Sequence, residues 1–446
     1  MVSVSELREV VNWKEGLIAP TVLFDEELYR EEQSKVFEKA WLVVGHEDML
    51  RKPGDYVTNY MGEVPVVVSR DMEGELHVLV NRCVHRGNEV CLFDRGNARA
   101  FTCSYHGWTY EISGKLIGVP MEKELYRDEI DHDSWGLEQV RVASYKGLIF
   151  ATFDQSAPSL EEWLGEDGCW WLRNYVLVEN LGGLEVLPGM HRYSTPGNWK
   201  HLAENFIGDD YHVFAATHVS WFKVLQEFAE KGHQVRSVDG SLSRSRRYEA
   251  TTGYLKGCPM GFGHVTMDPV VYEHDLAEAE KLGPDVVEWV QYRRRQYEEV
   301  KKEYELAPYC FMNGGIFPNL GLMGYFSPMS GRHFLLFHPR GVGEMEQWQW
   351  TMVEKEAPAI VKEVAAEYVY RGQHMAGIIA PDDVENMERI VEAMRAPRNW
   401  RKPHNYRLQV GHEEEAPQGI PGHMGPNPSE VNQRNFYRFW LELMEA

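Results

Sequence analysis

The sequence predicts an α+β protein with two units: an antiparallel β domain near the N-terminus, then a larger α+β domain whose antiparallel sheet is covered by helices. Three observations predict this. Between Trp41 and Phe153, short β-type runs are separated by turn signals. Beyond residue 154, helical periodicity alternates with strand-like segments. The regular strand–helix–strand repeats and Gly-rich turn of a doubly wound parallel sheet are absent. The chain has 446 residues, too many for one small core. The expected division is a helical segment over 1–40 packing on the larger domain, the β domain over 41–156, and the larger domain over 157–446.

The elements follow in order. Residues 21–40 carry apolar residues at helical spacing, with Asp25 placed to cap a helix start. WLVVGHE, VPVVVSR, LHVLVNR and GLIFATF read as strands, and Pro53-Gly54-Asp55, Met72-Glu73-Gly74 and Ser113-Gly114-Lys115 as turns. In the larger domain, Pro158–Leu164, Asn205–Ala216 and Asp285–Glu305 read as helical. Arg332–Pro339 and Trp348–Val353 read as strands. The stretch 412–430 is rich in Pro, Gly and Glu and reads as an irregular surface segment. A last helix is expected around Ser429–Met444.

Composition narrows the function. The chain is 43% hydrophobic and carries a formal net charge of −22. That balance opposes nucleic-acid binding, which needs positive surface against phosphate. Nothing approaches the ~18 apolar residues of a membrane span, and the charged N-terminus lacks the apolar core of a signal peptide. The expectation is a cytoplasmic protein. Six cysteines, at 83, 91, 103, 169, 258 and 310, are too scattered for a disulfide framework.

Three of those cysteines lie close together in NRCVHRGNEVCLFDRGNARAFTCSYHGWTY. Cys83-x-His85 is followed after 17 residues by Cys103-x2-His106. Two thiolates and two imidazoles on two short loops can hold a [2Fe–2S] cluster, with two Cys on one iron and two His on the other. They can also hold a structural zinc. The alternating Cys-His, Cys-His order favours the cluster, because zinc fingers place the Cys together and the His together. Neutral imidazoles in place of thiolates raise the reduction potential of such a cluster. Cys91 reads as a small buried hydrophobe rather than a further ligand.

A second constellation lies in HLAENFIGDDYHVFAATHVS, where His212 and His218 follow Asn205 and Asp209. Six residues of straight helix turn a side chain through ~600°, so both imidazoles face one metal only if the helix ends or loosens between them. A 2-His-1-carboxylate site also needs a distant carboxylate. IIAPDDVENME offers Asp382 and Asp383 at a helix start opened by Pro381, and spacing alone does not choose between them.

At these motifs the chain resembles the α subunits of bacterial Rieske ring-hydroxylating dioxygenases, such as the naphthalene, biphenyl and phenylpropionate enzymes. The likeness rests on Cys-x-His-Arg-Gly, Cys-x2-His-Gly-Trp, the run Glu204–His212 ending at His218, PDDVENM and IFPNL at 316–320. It implies that Cys83, His85, Cys103 and His106 hold a Rieske [2Fe–2S] cluster. His212, His218 and Asp383 would hold mononuclear Fe(II), with Asn205 near the iron. Asp209 would bridge a cluster histidine of one subunit to an iron histidine of its neighbour, because the distance between centres within one chain of the family is too long for electron transfer. Pocket candidates are Phe206, Val213, Phe214, Ile378 and Ile379.

The implied activity is O2-dependent cis-dihydroxylation of an aromatic ring. Electrons would pass from NAD(P)H through a reductase and a ferredoxin. A small β subunit in an α3β3 assembly is the expected partner. A Rieske monooxygenase or demethylase of an aromatic acid is the alternative with the same metals, and a zinc-stabilised binding protein is the alternative without catalysis.

Overall fold

The computed structural model describes residues 4–127, 129–179, 182–209, 211–212, 216–218, 227, 251–254, 259–265, 270–303, 311–325, 331–372, 374–377, 379–415, 422–426 and 428–446. Contacts divide the chain into two compact units, Gln33–Leu160 and Met1–Glu32 with Glu161–Ala446.

The smaller unit is antiparallel β, as the alternating apolar runs predict. Its strands are β1 (Leu42–His46), β2 (Asp55–Met61), β3 (Val64–Arg70), β4 (Leu76–Val80), β5 (Arg95–Asn97), β6 (Ala100–Thr102), β7 (Thr109–Glu111), β8 (Leu116–Gly118), β9 (Gln139–Tyr145) and β10 (Leu148–Thr152). Seven form one sheet in the order β1-β10-β9-β4-β3-β2-β5, and β8-β7-β6 form a second. The core between them holds Tyr56, Leu79, Trp108, Tyr110 and Leu116. The turns fall where Gly can adopt positive φ, at Gly54 (89°), Gly74 (96°) and Gly114 (92°).

The larger unit is built on nine strands: β11 (Leu184–Pro196), β12 (Thr251–Tyr254), β13 (Met260–Val265), β14 (Phe311–Ile316), β15 (Leu320–Tyr325), β16 (Arg332–Pro339), β17 (Glu344–Glu354), β18 (Glu414–Glu415) and β19 (His423–Pro426). Their order is β11-β17-β16-β15-β14-β13-β12-β19-β18. Every described pairing is antiparallel. The segment 412–430 is therefore not wholly irregular: its HMGP run pairs through the backbone with β12 on one side and with the edge strand β18 on the other. An edge pairing of this kind needs no hydrophobic alternation, so the sequence pattern is silent about it.

The helices of this unit include α1 (Glu26–Glu32), α2 (Trp199–Phe206), α3 (Val270–Leu282), α4 (Pro284–Glu303), α5 (Ala359–Gly372), α6 (Ala380–Met394) and α7 (Val431–Glu445). Of these, α2, α5, α6 and α7 pack against the sheet. The single helix expected over 21–40 is broken. Thr21–Phe24 forms one turn, Asp25 is extended at φ −85°, and Asp25 Oδ1 then accepts the Leu28 N–H at 2.8 Å to start α1. Helix α2 starts earlier than expected because Asn198 and His201 form a reciprocal cap, and it ends by Gly208, whose φ is 125°.

One buried polar cluster ties three helices of this unit. Glu32 accepts from Trp199 Nε1 at 2.9 Å, from Trp440 Nε1 at 2.8 Å and from Lys200 Nζ. Glu32 and Lys200 are both fully buried. Among the described residues, no helix is long and apolar enough to cross a membrane.

Two candidate metal centres

The cluster candidates sit on two loops built alike. The first follows β4 and the second joins β6 to β7. In the first, the Gly87 N–H donates to Cys83 O at 2.8 Å and the Cys83 N–H to Asn88 O at 2.8 Å. In the second, the Gly107 N–H donates to Cys103 O at 2.9 Å and the Cys103 N–H to Trp108 O at 2.8 Å. Both glycines have positive φ, 78° and 73°, and a side chain on Gly107 would meet Pro120 Cγ at 2.9 Å.

The loops bring the four ligand candidates together. The His85 and His106 rings are 4.5 Å apart, and His85 stacks flat on Trp108 at 5.1 Å. Cys83 and Cys103 are 1% and 2% exposed. Burial raises the Cys103 thiol, but the Tyr105 and His106 backbone N–H groups outweigh it and hold the thiol below its ordinary value. Tyr110 Oη lies 3.2 Å from Cys83 Sγ, and Asn88 Nδ2 lies 3.8 Å from Cys103 Sγ. The buried His85 Nδ1 has no partner. Two thiols, two imidazoles and such an orphaned nitrogen fit a [2Fe–2S] cluster. Cys91 instead lies in the apolar core near Tyr56, and burial raises its thiol.

The second centre is assembled in the larger unit. Helix α6 begins at Ala380 with Pro381 in its first turn, where Asp382 and Asp383 also fall. Its N-terminus meets the segment that follows α2. Asp383 Oδ1 lies 3.5 Å from His212 Nε2 and 3.3 Å from His218 Nε2. One ligand atom from each of His212, His218 and Asp383 falls within 4.8 Å of the others. Neighbouring ligands ~2.1 Å from one ion stand ~3 Å apart, so the trio fits a 2-His-1-carboxylate face with little adjustment.

Carboxylates also stand at the other ring nitrogens. Asp209 Oδ2 is 3.4 Å from His212 Nδ1, and Asp382 Oδ2 is 3.5 Å from His218 Nδ1. A carboxylate hydrogen-bonded at Nδ1 would fix the tautomer and raise the basicity of a ligating imidazole. At 3.5 Å the Asp382 carboxylate is placed for this, although His218 Nδ1 makes no hydrogen bond at that separation. Burial raises Asp209, yet the His212 side chain and the nearby backbone N–H groups hold its carboxyl below the usual range. Asp382 is the more exposed of the pair, 38% against 14%.

The remaining site candidates fall as follows. The Asn205 carbonyl accepts the Asp209 N–H at 2.9 Å and so sets the chain's exit from α2. Phe206 packs on Phe337 and lines a cavity beside Asp383. Gly321 permits this, because a side chain there would meet Phe206 Cβ at 3.0 Å. Ile379 is buried, donates its N–H to Gly372 O at 3.0 Å, and is not part of the cavity's described lining. Val213, Phe214 and Ile378 lie outside the described residues.

Sequence reasoning missed the sheet side of this cavity: Tyr193, Met323, His333, Leu335, Gln347 and Gln349. The signal was present in EMEQWQW, where glutamines alternate with tryptophans in a strand of high β propensity.

An electron-transfer cluster domain joined to a 2-His-1-carboxylate site defines a Rieske-type non-haem-iron oxygenase. Comparison with known proteins agrees. Residues 40–145 match the Rieske [2Fe-2S] domain, and residues 187–446 match the ring hydroxylating alpha subunit catalytic domain. The chain is 33% identical to the biphenyl dioxygenase subunit alpha of Paraburkholderia xenovorans (strain LB400), covering 98% of this chain and 93% of that one. Naphthalene 1,2-dioxygenase with indole bound superposes with a TM-score of 0.83 at 29% identity, over 98% of this chain and 94% of that chain. A quaternary ammonium Rieske monooxygenase shares the fold, with a TM-score of 0.64 and 16% identity over 96% of this chain and 97% of that one.

The chain belongs to the ring-hydroxylating dioxygenase α subunits. It is the terminal oxygenase component of such a system, an oxidoreductase with a Rieske cluster, a mononuclear iron and O2 as co-substrate. It works with electron-transfer partners fed by NAD(P)H and with an aromatic substrate.

Proposed function

We propose that this chain cis-dihydroxylates an aromatic ring at the site formed by His212, His218 and Asp383. The observation that carries the reading is the convergence of those three side chains, 171 residues apart in sequence at the extremes (383 − 212), within 4.8 Å. Cys83, His85, Cys103 and His106 hold the cluster. When bound, the cluster supplies single electrons and the iron supplies activation of O2. The chain's own residues position and shield. Asp209 and Asp382 orient the two imidazoles through Nδ1. Phe206, Leu202 and Leu335 give the cavity beside Asp383 an apolar wall that excludes water and takes an arene face.

Asp209 Oδ2 faces His212, and Oδ1, which accepts the Tyr211 N–H at 3.1 Å, keeps a second lone pair for a neighbouring subunit's cluster histidine, which makes Asp209 the bridge for electrons between subunits. A small β subunit completes an α3β3 assembly, a ferredoxin and a reductase are the electron donors, and the complex works in the cytoplasm. The names of the relatives, biphenyl and naphthalene dioxygenases, support an arene substrate.

Turnover of an arene panel under 18O2, with ferredoxin and reductase supplied, tests the reading. A cis-diol carrying two labelled atoms is expected. One labelled atom in a phenol or a demethylated product would assign monooxygenation instead.

A further inference from the structure

The cavity beside Asp383 has two chemically different walls. Helices α2 and α6 bring Leu202, Phe206, Ala380 and Val384 beside Asp383, whereas the sheet wall sets the polar Tyr193, His333, Gln347 and Gln349 beside Met323 and Leu335. Strand alternation puts His333 and Leu335 on one face of β16 and Gln347 and Gln349 on one face of β17. The register pairs Leu335 with Gln349, and Tyr193 of β11 with Gln347. His333, Gln347 and Gln349 are each at most 2% exposed.

Half of this polar wall is self-satisfied. Tyr193 Oη donates to Gln347 Oε1 at 3.0 Å, and Gln347 Nε2 donates to Thr195 Oγ1 at 2.8 Å. The other half is not. Gln349 Nε2 donates to His333 Nδ1 at 2.9 Å, which leaves His333 Nε2 and Gln349 Oε1 buried without a partner. In that arrangement the imidazole proton sits on Nε2, so the pair keeps one donor and one acceptor unused. Turning the amide over and moving the proton exchanges the roles but again leaves one of each. A buried polar group without a partner costs about 1–3 kcal/mol, and native interiors pair the great majority of them. Here the two orphans sit on adjacent side chains that line the cavity beside Asp383.

We propose that His333 and Gln349 recognise a neutral substituent on the aromatic substrate that both donates and accepts a hydrogen bond, a hydroxyl or a carboxamide. This rests on the ring-hydroxylating reading above and narrows its substrate class. An unsubstituted hydrocarbon leaves both groups unsatisfied. A carboxylate is disfavoured, because it offers no proton and meets no charge: burial pushes His333 down to about 3, so the imidazole stays neutral.

The test compares two ligands of the same shape, benzyl alcohol and ethylbenzene, with benzoate as the anionic third. Binding is measured by calorimetry on the cluster- and iron-loaded oxygenase without reductant. Benzyl alcohol is expected to bind about tenfold tighter than ethylbenzene, the ratio that one satisfied buried hydrogen-bonding pair gives. The ratio falls to about one in His333→Phe and in Gln349→Leu. Equal or tighter binding of ethylbenzene by the wild type overturns the proposal, as would be seen if a buried water already filled the pair. So does a preference for benzoate, or a ratio that survives both substitutions. The wild-type comparison decides the matter even if the variants fail to fold. Both ligands are also turned over with 18O2. Doubly labelled diols without a binding preference sink the recognition pair alone. Products that carry one labelled atom or none sink the dioxygenase reading, while the binding ratio still judges the pair.

Discussion

Asn386 Nδ2 donates to Thr217 Oγ1 at 3.3 Å and to the Asp382 carbonyl at 3.0 Å. Helix α6, which carries Asp383, is thereby tied to the turn that carries His218, though neither Asn386 nor Thr217 offers a ligand atom. Residues that orient ligands typically influence metal affinity tenfold or more. Asn386→Ala is therefore expected to weaken Fe(II) binding about tenfold, read by anaerobic titration, with little change in the unfolding midpoint. Unchanged affinity would show the tie to be incidental.

The Tyr110 hydroxyl lies 3.2 Å from Cys83 Sγ in a core where both residues are at most 1% exposed. A hydrogen bond to a ligating sulfur withdraws charge and favours the reduced cluster. Tyr110→Phe keeps the ring and removes that donor. A lower reduction potential is expected in a potentiometric titration followed by the cluster's visible absorption, with cluster content unchanged. An unmoved potential would show that the hydroxyl does not act on the sulfur.

Among the described residues, Glu32 is the carboxylate bonded to the buried Lys200, and it also accepts two indole N–H groups. Glu32→Gln leaves a buried ammonium without its counter-charge. Breaking a buried pair in this way costs about 3–5 kcal/mol. Chemical denaturation should show that loss, and Glu32→Asp should recover part of it. A change below about 1 kcal/mol would mean that water reaches the cluster.

Burial pushes Glu204 up to about 8 from 4.5, although tyrosine hydroxyls around it, including that of Tyr406, pull the other way. The folded chain therefore holds this proton more tightly than the unfolded chain does. The stability this contributes is complete below about 4.5 and is lost as pH rises through about 8. The stability difference between the wild type and Glu204→Gln should decrease as pH rises from 5 to 8, whereas buried histidines held below their ordinary value, His201 and His333 among them, act in the opposite direction in both proteins alike. Parallel pH profiles would assign the slope to other groups.

Much of the cluster centre was legible because its chemistry is local. Cys83, His85, Cys103 and His106 lie on two short loops closed by Gly87 and Gly107, and the spacing of the motif is the spacing of the loop. The strands around them were equally plain, since VPVVVSR and LHVLVNR carry β-branched residues between turn signals. Helix α2 was misplaced because an Asn198 cap and a Gly208 exit outweighed the apolar spacing that continues past Phe206.

By itself, the sequence determined the fold class, the two-centre organisation and the pool of ligands, because residue type and short-range spacing carry that information. Only the tertiary structure brought Asp383 Oδ1 within reach of both His212 and His218, since no local pattern distinguishes it from Asp382. The tertiary structure alone likewise placed His333 beside Gln349. Their proximity depends on which strands are neighbours in the sheet and in what register, and period-two alternation within a single strand specifies neither.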